Sequence, residues 1–162
     1  YDDPEAATSF AVDMNNQLIA GFTGCKIAVH LCRRAGARVR GDQTHTGGFA
    51  TIINHLHELK AQHVTMEYTS PGTGDMAVLQ QLRPDIEVGL GCVSVQPGQI
   101  DSPETIVARV ESAMQHLSKE RITLNPDCGF APGSAAEVDM NEVATKLNNE
   151  VAAAQILRER YG

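Results

Sequence analysis

At 162 residues, 42% of them hydrophobic and 20% charged, the chain is long enough for one domain with a core of its own. A formal net charge of −7 argues against a nucleic-acid or anionic-membrane partner, because phosphates attract basic faces. No apolar run approaches the ~20 residues of a membrane span, and the acidic, polar start YDDPEAATSF is not a signal peptide. A cytoplasmic location is therefore expected. The chain also lacks an initiator methionine, so it is expected to begin inside a longer protein.

In chain order, helix-like and strand-like periods alternate. Ser9 to Ile19 carries a helical stripe of Phe10, Ala11, Met14, Leu18 and Ile19. Lys26 to Cys32 (KIAVHLC) is short and apolar, the pattern of a buried strand. Arg33 to Gly48 is a loop rich in Gly and Arg. Gly48 to Ala61 places Phe49, Ile52, Ile53, Leu56 and Leu59 on one helical face. His63 to Tyr68 (HVTMEY) predicts a strand. Asp75 to Leu82 predicts a short helix with Asp75 as N-cap. Glu87 to Val93 (EVGLGCV) is a strand with two glycines. Ser102-Pro103-Glu104 opens the next helix, which is expected to reach about Leu117. Arg121 to Asn125 is a strand, and Asn141 to Arg160 a long final helix.

Strands alternating with helices imply a parallel sheet with right-handed crossovers. Two architectures fit: an open four-stranded sheet, or part of a (β/α)₈ barrel, which needs about 250 residues to close. In either, chemistry gathers where the strands end. His30 and Cys32 stand two apart on the first strand and so project to the same side. Glu67 ends the second strand, Ser94 and Gln96 come after the third, and Asn125-Pro126-Asp127-Cys128-Gly129 ends the fourth. A parallel sheet brings these ends to one rim. Two thiols, an imidazole and a carboxylate are a zinc-binding set. A thiol that takes an exchangeable position on the metal becomes a thiolate, so the expected chemistry is alkyl transfer to sulfur rather than hydrolysis.

Taken singly, these residues have ordinary readings. A strand cysteine is usually a small core residue, and Glu67 and Cys128 alone are a paired carboxylate and a turn thiol. Cys25 and Cys92 are expected to be core or loop thiols. His55 and His57 face apart on a helix and are expected to be solvated, while His45, His63 and His116 have no evident partner. Disulfides are disfavoured, and the absence of a C-x-x-C disfavours a redox protein. The loop arginines Arg33, Arg34, Arg38 and Arg40 suit either solvent or an anionic substrate group.

HLC, MEYTS, GLGCV and NPDCGF, in that order, resemble the catalytic domain of cobalamin-independent methionine synthase and its relatives over nearly the whole chain. The resemblance implies the C-terminal, zinc-binding portion of a TIM barrel, with residues 1–162 as a single unit. It implies His30, Cys32, Glu67 and Cys128 as zinc ligands, Glu67 being exchangeable or a base when substrate is bound. Asn125 and Asp127 would orient the Cys128 turn. YDDP is similar to the family's acidic motif, which assigns Asp2 to the substrate's amino group. The expected reaction is methyl transfer to a homocysteine-type thiol. Where the family's methionine synthases have a proton-relaying histidine, this chain has Gln96, which takes up no proton at neutral pH. The alternative is the epoxyalkane–coenzyme M transferase of the same family, whose thiol sulfonate would suit the loop arginines. A further alternative is a non-catalytic zinc-binding fragment that needs a partner, through self-association or a missing N-terminal half.

Overall fold

The computed structural model describes residues 2–32, 41, 47–130 and 138–162. Its elements are α1 (Pro4–Ile19), β1 (Ala28–Leu31), α2 (Ile53–Leu56), β2 (His63–Glu67), β3 (Glu87–Val93), α3 (Pro103–Met114), β4 (Ile122–Pro126) and α4 (Met140–Tyr161). Short 3-10 turns at Pro71–Thr73, Met76–Gln81 and Lys119–Arg121 complete the path. The strands form one four-stranded sheet in the order β1-β2-β3-β4, with every neighbouring pair parallel. All strand ends therefore share one rim. No described helix is long and apolar enough to cross a membrane.

The helices begin where side chains can cap them. Asp3 accepts the Ala6 amide at 3.0 Å with Pro4 at the first helical position, and Ser102 accepts the Thr105 amide at 3.2 Å ahead of Pro103. Asp139 accepts the Asn141 amide at 2.8 Å to start α4. Asp75 caps as expected, taking the Ala77 amide at 2.8 Å, but the segment it opens is a 3-10 turn.

Alternation along the strands separates two faces. Val64, Met66, Val88, Leu90 and Cys92 point into the core, which Ile106, Val107, Val110 and Ala113 of α3 and Ala153 of α4 complete. The opposite face carries His30, His63, Thr65, Thr123 and Asn125, which line a cleft of about 350 Å³ with Pro126, Cys128 and Gly129. Gly89 and Gly91 keep the middle of this face open. A Cβ on Gly91 would stand 2.7 Å from the Met66 carbonyl oxygen and 3.0 Å from both the Glu67 Cα and Asp127 Oδ1. Two of these contacts are backbone, so they do not yield by a side-chain rotation. Gly91→Ala is expected to lower stability by about 1–3 kcal/mol, the usual cost of overpacking. A urea titration reads this directly, and an unshifted midpoint would mean that the sheet spreads freely there.

The far rim, where the strands begin, is tied by two arginines. Arg83 donates to the carbonyls of His57, Leu59 and Ala61 at 2.6–3.2 Å. Arg121 donates to those of Ile86 and Arg83 at 2.8 and 2.6 Å. Glu87 takes Lys26 at 2.7 Å and stands 3.7 Å from His63.

Several sequence expectations need correction. The stripe from Phe49 to Leu59 is buried, yet only Ile53–Leu56 is α-helical. Thr51-Ile52-Ile53 is a β-branched run, which disfavours helix, and the turns around it close by i→i−3 bonds such as Ile52 to Phe49. The first strand is only half covered, with Ala28 and His30 exposed, because β1 is an edge and its polar face is open. His55 is not solvated: it is 8% exposed and lies 3.2 Å from Glu5 of α1, since α1 lies across α2. His63 has Glu87 as its partner, and the His116 ring meets the Gln80 amide at 2.7 Å. His45 and the loop arginines lie outside the described residues.

Candidate metal centre

The strand-end rim brings three of the expected ligands together. His30 is within β1, Cys32 lies one residue past its end, and Cys128 lies two residues past β4. Their ligand atoms all fall within 4.8 Å of one another. The pairing of edges does not cause this, because β1 and β4 are the outermost strands of the sheet. In a flat sheet the outer strands would stand roughly 14 Å apart, so the sheet curves to bring these side chains together.

The Sγ atoms of Cys32 and Cys128 are 3.7 Å apart. That is far longer than the ~2.05 Å of a disulfide. Two thiolates bound to one zinc at ~2.3 Å and a tetrahedral angle stand roughly 3.8 Å apart. The observed spacing therefore fits a shared metal edge, and the imidazole of His30 supplies a third donor of the right type. Burial pushes the Cys128 thiol up to about 11, helped by its contact with Cys32 and by the charge of Glu67, while the Gly129 amide opposes the shift. Without a cation this thiol holds its proton at neutral pH. A cation favours the thiolate.

Glu67 does not join the three-residue cluster. It ends β2 with no exposed surface, and its Oε1 accepts the Ser70 hydroxyl at 2.9 Å. Its charge adds to the upward push on the Cys128 thiol. Asp127 is equally buried; it accepts the Thr69 hydroxyl, and its amide donates to the Val93 carbonyl at 2.9 Å. The residue before Cys128 is thus tied to both β3 and the segment after β2. Asn125 bonds the Pro126 carbonyl through its amide at 2.7 Å. Asp2 is exposed just before the capping Asp3 and lies outside the cluster. Of the other thiols, Cys92 is in the core, its pKa pushed up to about 12 by burial, and Cys25 is exposed.

Sequence reasoning missed how the loop after β3 is held. Lys146 of α4 is 1% exposed, and its Nζ donates to the Gln96 carbonyl at 2.7 Å and meets Glu142 Oε1 at 2.7 Å. Glu142 also accepts the Gly98 amide at 3.0 Å, and Asn149 donates to the Asp101 carbonyl at 2.9 Å. Asp101 in turn accepts the Ser94 amide at 3.0 Å and pairs with Arg109 at 2.9 Å. One face of α4 therefore clasps residues 94–101 beside the rim. A lysine one helical turn after a glutamate was the available signal, but that pattern is usually a solvated pair.

The family model for the cobalamin-independent synthase catalytic domain matches residues 2–156. A methionine synthase of Pyrococcus horikoshii is 25% identical over 149 residues, 92% of this chain and 38% of that one. A 5-methyltetrahydropteroyltriglutamate–homocysteine methyltransferase of Campylobacter jejuni is 29% identical over 112 residues, 69% of this chain and 14% of that one. Among solved structures, a B12-independent methionine synthase from Shewanella sp. W3-18-1 in complex with selenomethionine superposes with a TM-score of 0.75 at 20% identity. The superposition covers 96% of this chain and 47% of that one. The chain thus spans well under half the length of these curated relatives. Its four parallel strands alternating with helices are part of a TIM barrel. By the match across residues 2–156, the chain belongs to the cobalamin-independent synthase family.

Proposed function

We propose that residues 1–162 form the zinc-binding part of a transferase that moves a methyl group to a thiol, with a homocysteine-type acceptor. The observation that carries this reading is the meeting of His30, Cys32 and Cys128, with their two sulfurs 3.7 Å apart. Relatives named as methionine synthase and homocysteine methyltransferase support the choice of acceptor.

A zinc ion held by this set would lower the pKa of an entering thiol, so that the nucleophilic thiolate prevails at neutral pH. The remaining work falls to the chain. His30, Cys32 and Cys128 would hold the metal. Glu67 would be an exchangeable ligand or, with substrate bound, a base for the thiol proton, and the Ser70 hydroxyl orients its carboxylate. Asp127 steadies the Cys128 turn through Thr69 and Val93. Asp2, exposed just before the N-cap of α1, is assigned the acceptor's ammonium group. Gln96 takes up no proton at neutral pH, so a proton relay there would need another group.

Homocysteine binding to the zinc-loaded chain, measured by calorimetry, tests the reading. Asp2→Asn is expected to weaken homocysteine about tenfold or more, the worth of a hydrogen bond to a charged group, and to leave a thiol sulfonate unaffected. Equal weakening of both thiols would remove Asp2 from ammonium recognition. No thiol binding at all would leave a zinc-binding unit without acceptor chemistry.

A further inference from the structure

We infer that Ser70 is a latch for Glu67: its hydroxyl competes with the metal for the Glu67 carboxylate, and so sets how readily an acceptor thiol enters. The inference rests on the reading of Glu67 as an exchangeable ligand.

The hydroxyl belongs to a segment that is tied at both ends. Just past β2, the Tyr68 amide donates to the Gly91 carbonyl at 2.9 Å. The Thr69 hydroxyl donates to Asp127, next to Cys128. The Ser70 carbonyl accepts both the amide and the hydroxyl of Thr73, at 3.2 and 2.7 Å. Thr73 is buried, and Gly48 packs on this turn so closely that a Cβ there would stand 2.6 Å from the Thr73 carbonyl oxygen. The ring of Tyr68 is buried against Phe49, with centroids 5.5 Å apart. The backbone of Ser70 is therefore a fixed point, and its hydroxyl keeps only its own rotation.

Glu67 is the movable partner. Its Oε1 accepts the Ser70 hydroxyl at 2.9 Å, and it does not join the cluster of His30, Cys32 and Cys128. Strand register nonetheless sets it beside that cluster: Leu31 pairs with Met66, so Cys32 and Glu67 come next on the two strands. A long carboxylate side chain has the rotamer freedom to serve either partner. Turned onto the metal it leaves the Ser70 hydroxyl, which the tied segment holds in place.

The bond to Ser70 is thus made in the metal-free chain, broken when Glu67 ligates, and made again when an acceptor sulfur takes that position. In the last step a metal–sulfur bond replaces a metal–oxygen bond, and the thiol proton passes through the freed carboxylate to solvent. An interaction present in the first and third states alone shifts the balance against the second. Its removal makes zinc bind more tightly and the thiol less tightly, by the same factor. A hydrogen bond to a charged group puts that factor at about tenfold. A hydroxyl that only orients the carboxylate on the metal acts in the opposite sense, since its loss weakens zinc.

The test compares the 162-residue chain with its Ser70→Ala variant. Zinc affinity is read by competition with a chromophoric chelator, and homocysteine affinity of the zinc-loaded chain by calorimetry. Ser70→Ala is expected to bind zinc about tenfold more tightly and homocysteine about tenfold more weakly, with the product of the two constants unchanged. Ser70→Thr keeps the hydroxyl and should return both constants to those of the parent. In a Glu67→Gln background, Ser70→Ala should move neither. Zinc binding that is unchanged or weaker in Ser70→Ala overturns the inference, as does an effect that persists in the Glu67→Gln background. The zinc measurement also separates the inference from the acceptor reading. A parent chain that takes zinc but no homocysteine removes that reading, while tighter zinc in Ser70→Ala still assigns the latch. A parent chain that takes no zinc overturns both.

Discussion

Replacing Cys128 with Ser is expected to take the zinc content of the purified chain from about one per chain to almost none. Three donors meet at the rim, and Cys128 comes from the opposite edge of the sheet to His30 and Cys32. Removing it leaves His30 and Cys32 from one strand end, with Glu67 as an exchangeable third group at most. Even changes to groups that only support a ligand cost 10–100-fold in affinity, so loss of a thiolate is expected to cost more than about 100-fold. Metal analysis after dialysis against a weak chelator measures this. Cys92→Ser is the contrast: that thiol is in the core, its Sγ 3.8 Å from the Asn125 carbonyl, and its loss should alter stability while zinc is retained. Equal zinc in the parent chain and the Cys128 variant would remove Cys128 from the ligand set.

Lys146→Met is expected to destabilise the chain by about 3 kcal/mol at neutral pH, near the low end for breaking a buried ion pair. The low end applies because Glu142 keeps one fifth of its side chain exposed and retains the Gly98 amide. The Gln96 carbonyl, by contrast, loses its 2.7 Å donor. Glu142→Gln should cost less, since it keeps a polar partner for both Lys146 and Gly98. The pair also makes the effect depend on pH. The Lys146 hydrogen bond, and then the Gly98 amide, hold the Glu142 carboxyl below its ordinary 4.5. A depressed carboxylate stabilises the fold above that value, and the contribution is lost as the pH falls through its folded value. The gap between the parent chain and Lys146→Met should therefore narrow in acid. Urea titrations at neutral pH and below pH ~4 measure both effects. A gap that widened in acid would mean that Glu142 does not hold Lys146.

The order of elements was legible because hydrophobic period is local. β3 falls on Glu87–Val93 as its sequence predicts, and α4 runs one residue longer at each end than expected. The stripe over 48–61 shows the limit: its period reported burial correctly, while the β-branched run chose turns over helix. At the rim, His30 and Cys32 were legible from their spacing, and Cys128 from its place after a strand. The burial of Glu67 and its bond to Ser70 were not, because they depend on how the segment after β2 docks, which no local pattern encodes. The clasp by Lys146 was hidden for a similar reason. A lysine is read as solvated by default, and only the docking of residues 94–101 buries this one.

The carbonyls held by Arg83 and Arg121 have a consequence for how such a chain can change over time. The two side chains fix five main-chain oxygens where the strands begin, from His57 to Ile86. Main-chain acceptors are present whatever the neighbouring side chains are. The foundation of the sheet therefore tolerates drift in most of the residues it binds together, so long as the two arginines stay. The opposite rim can then exchange side chains without renegotiating the architecture beneath.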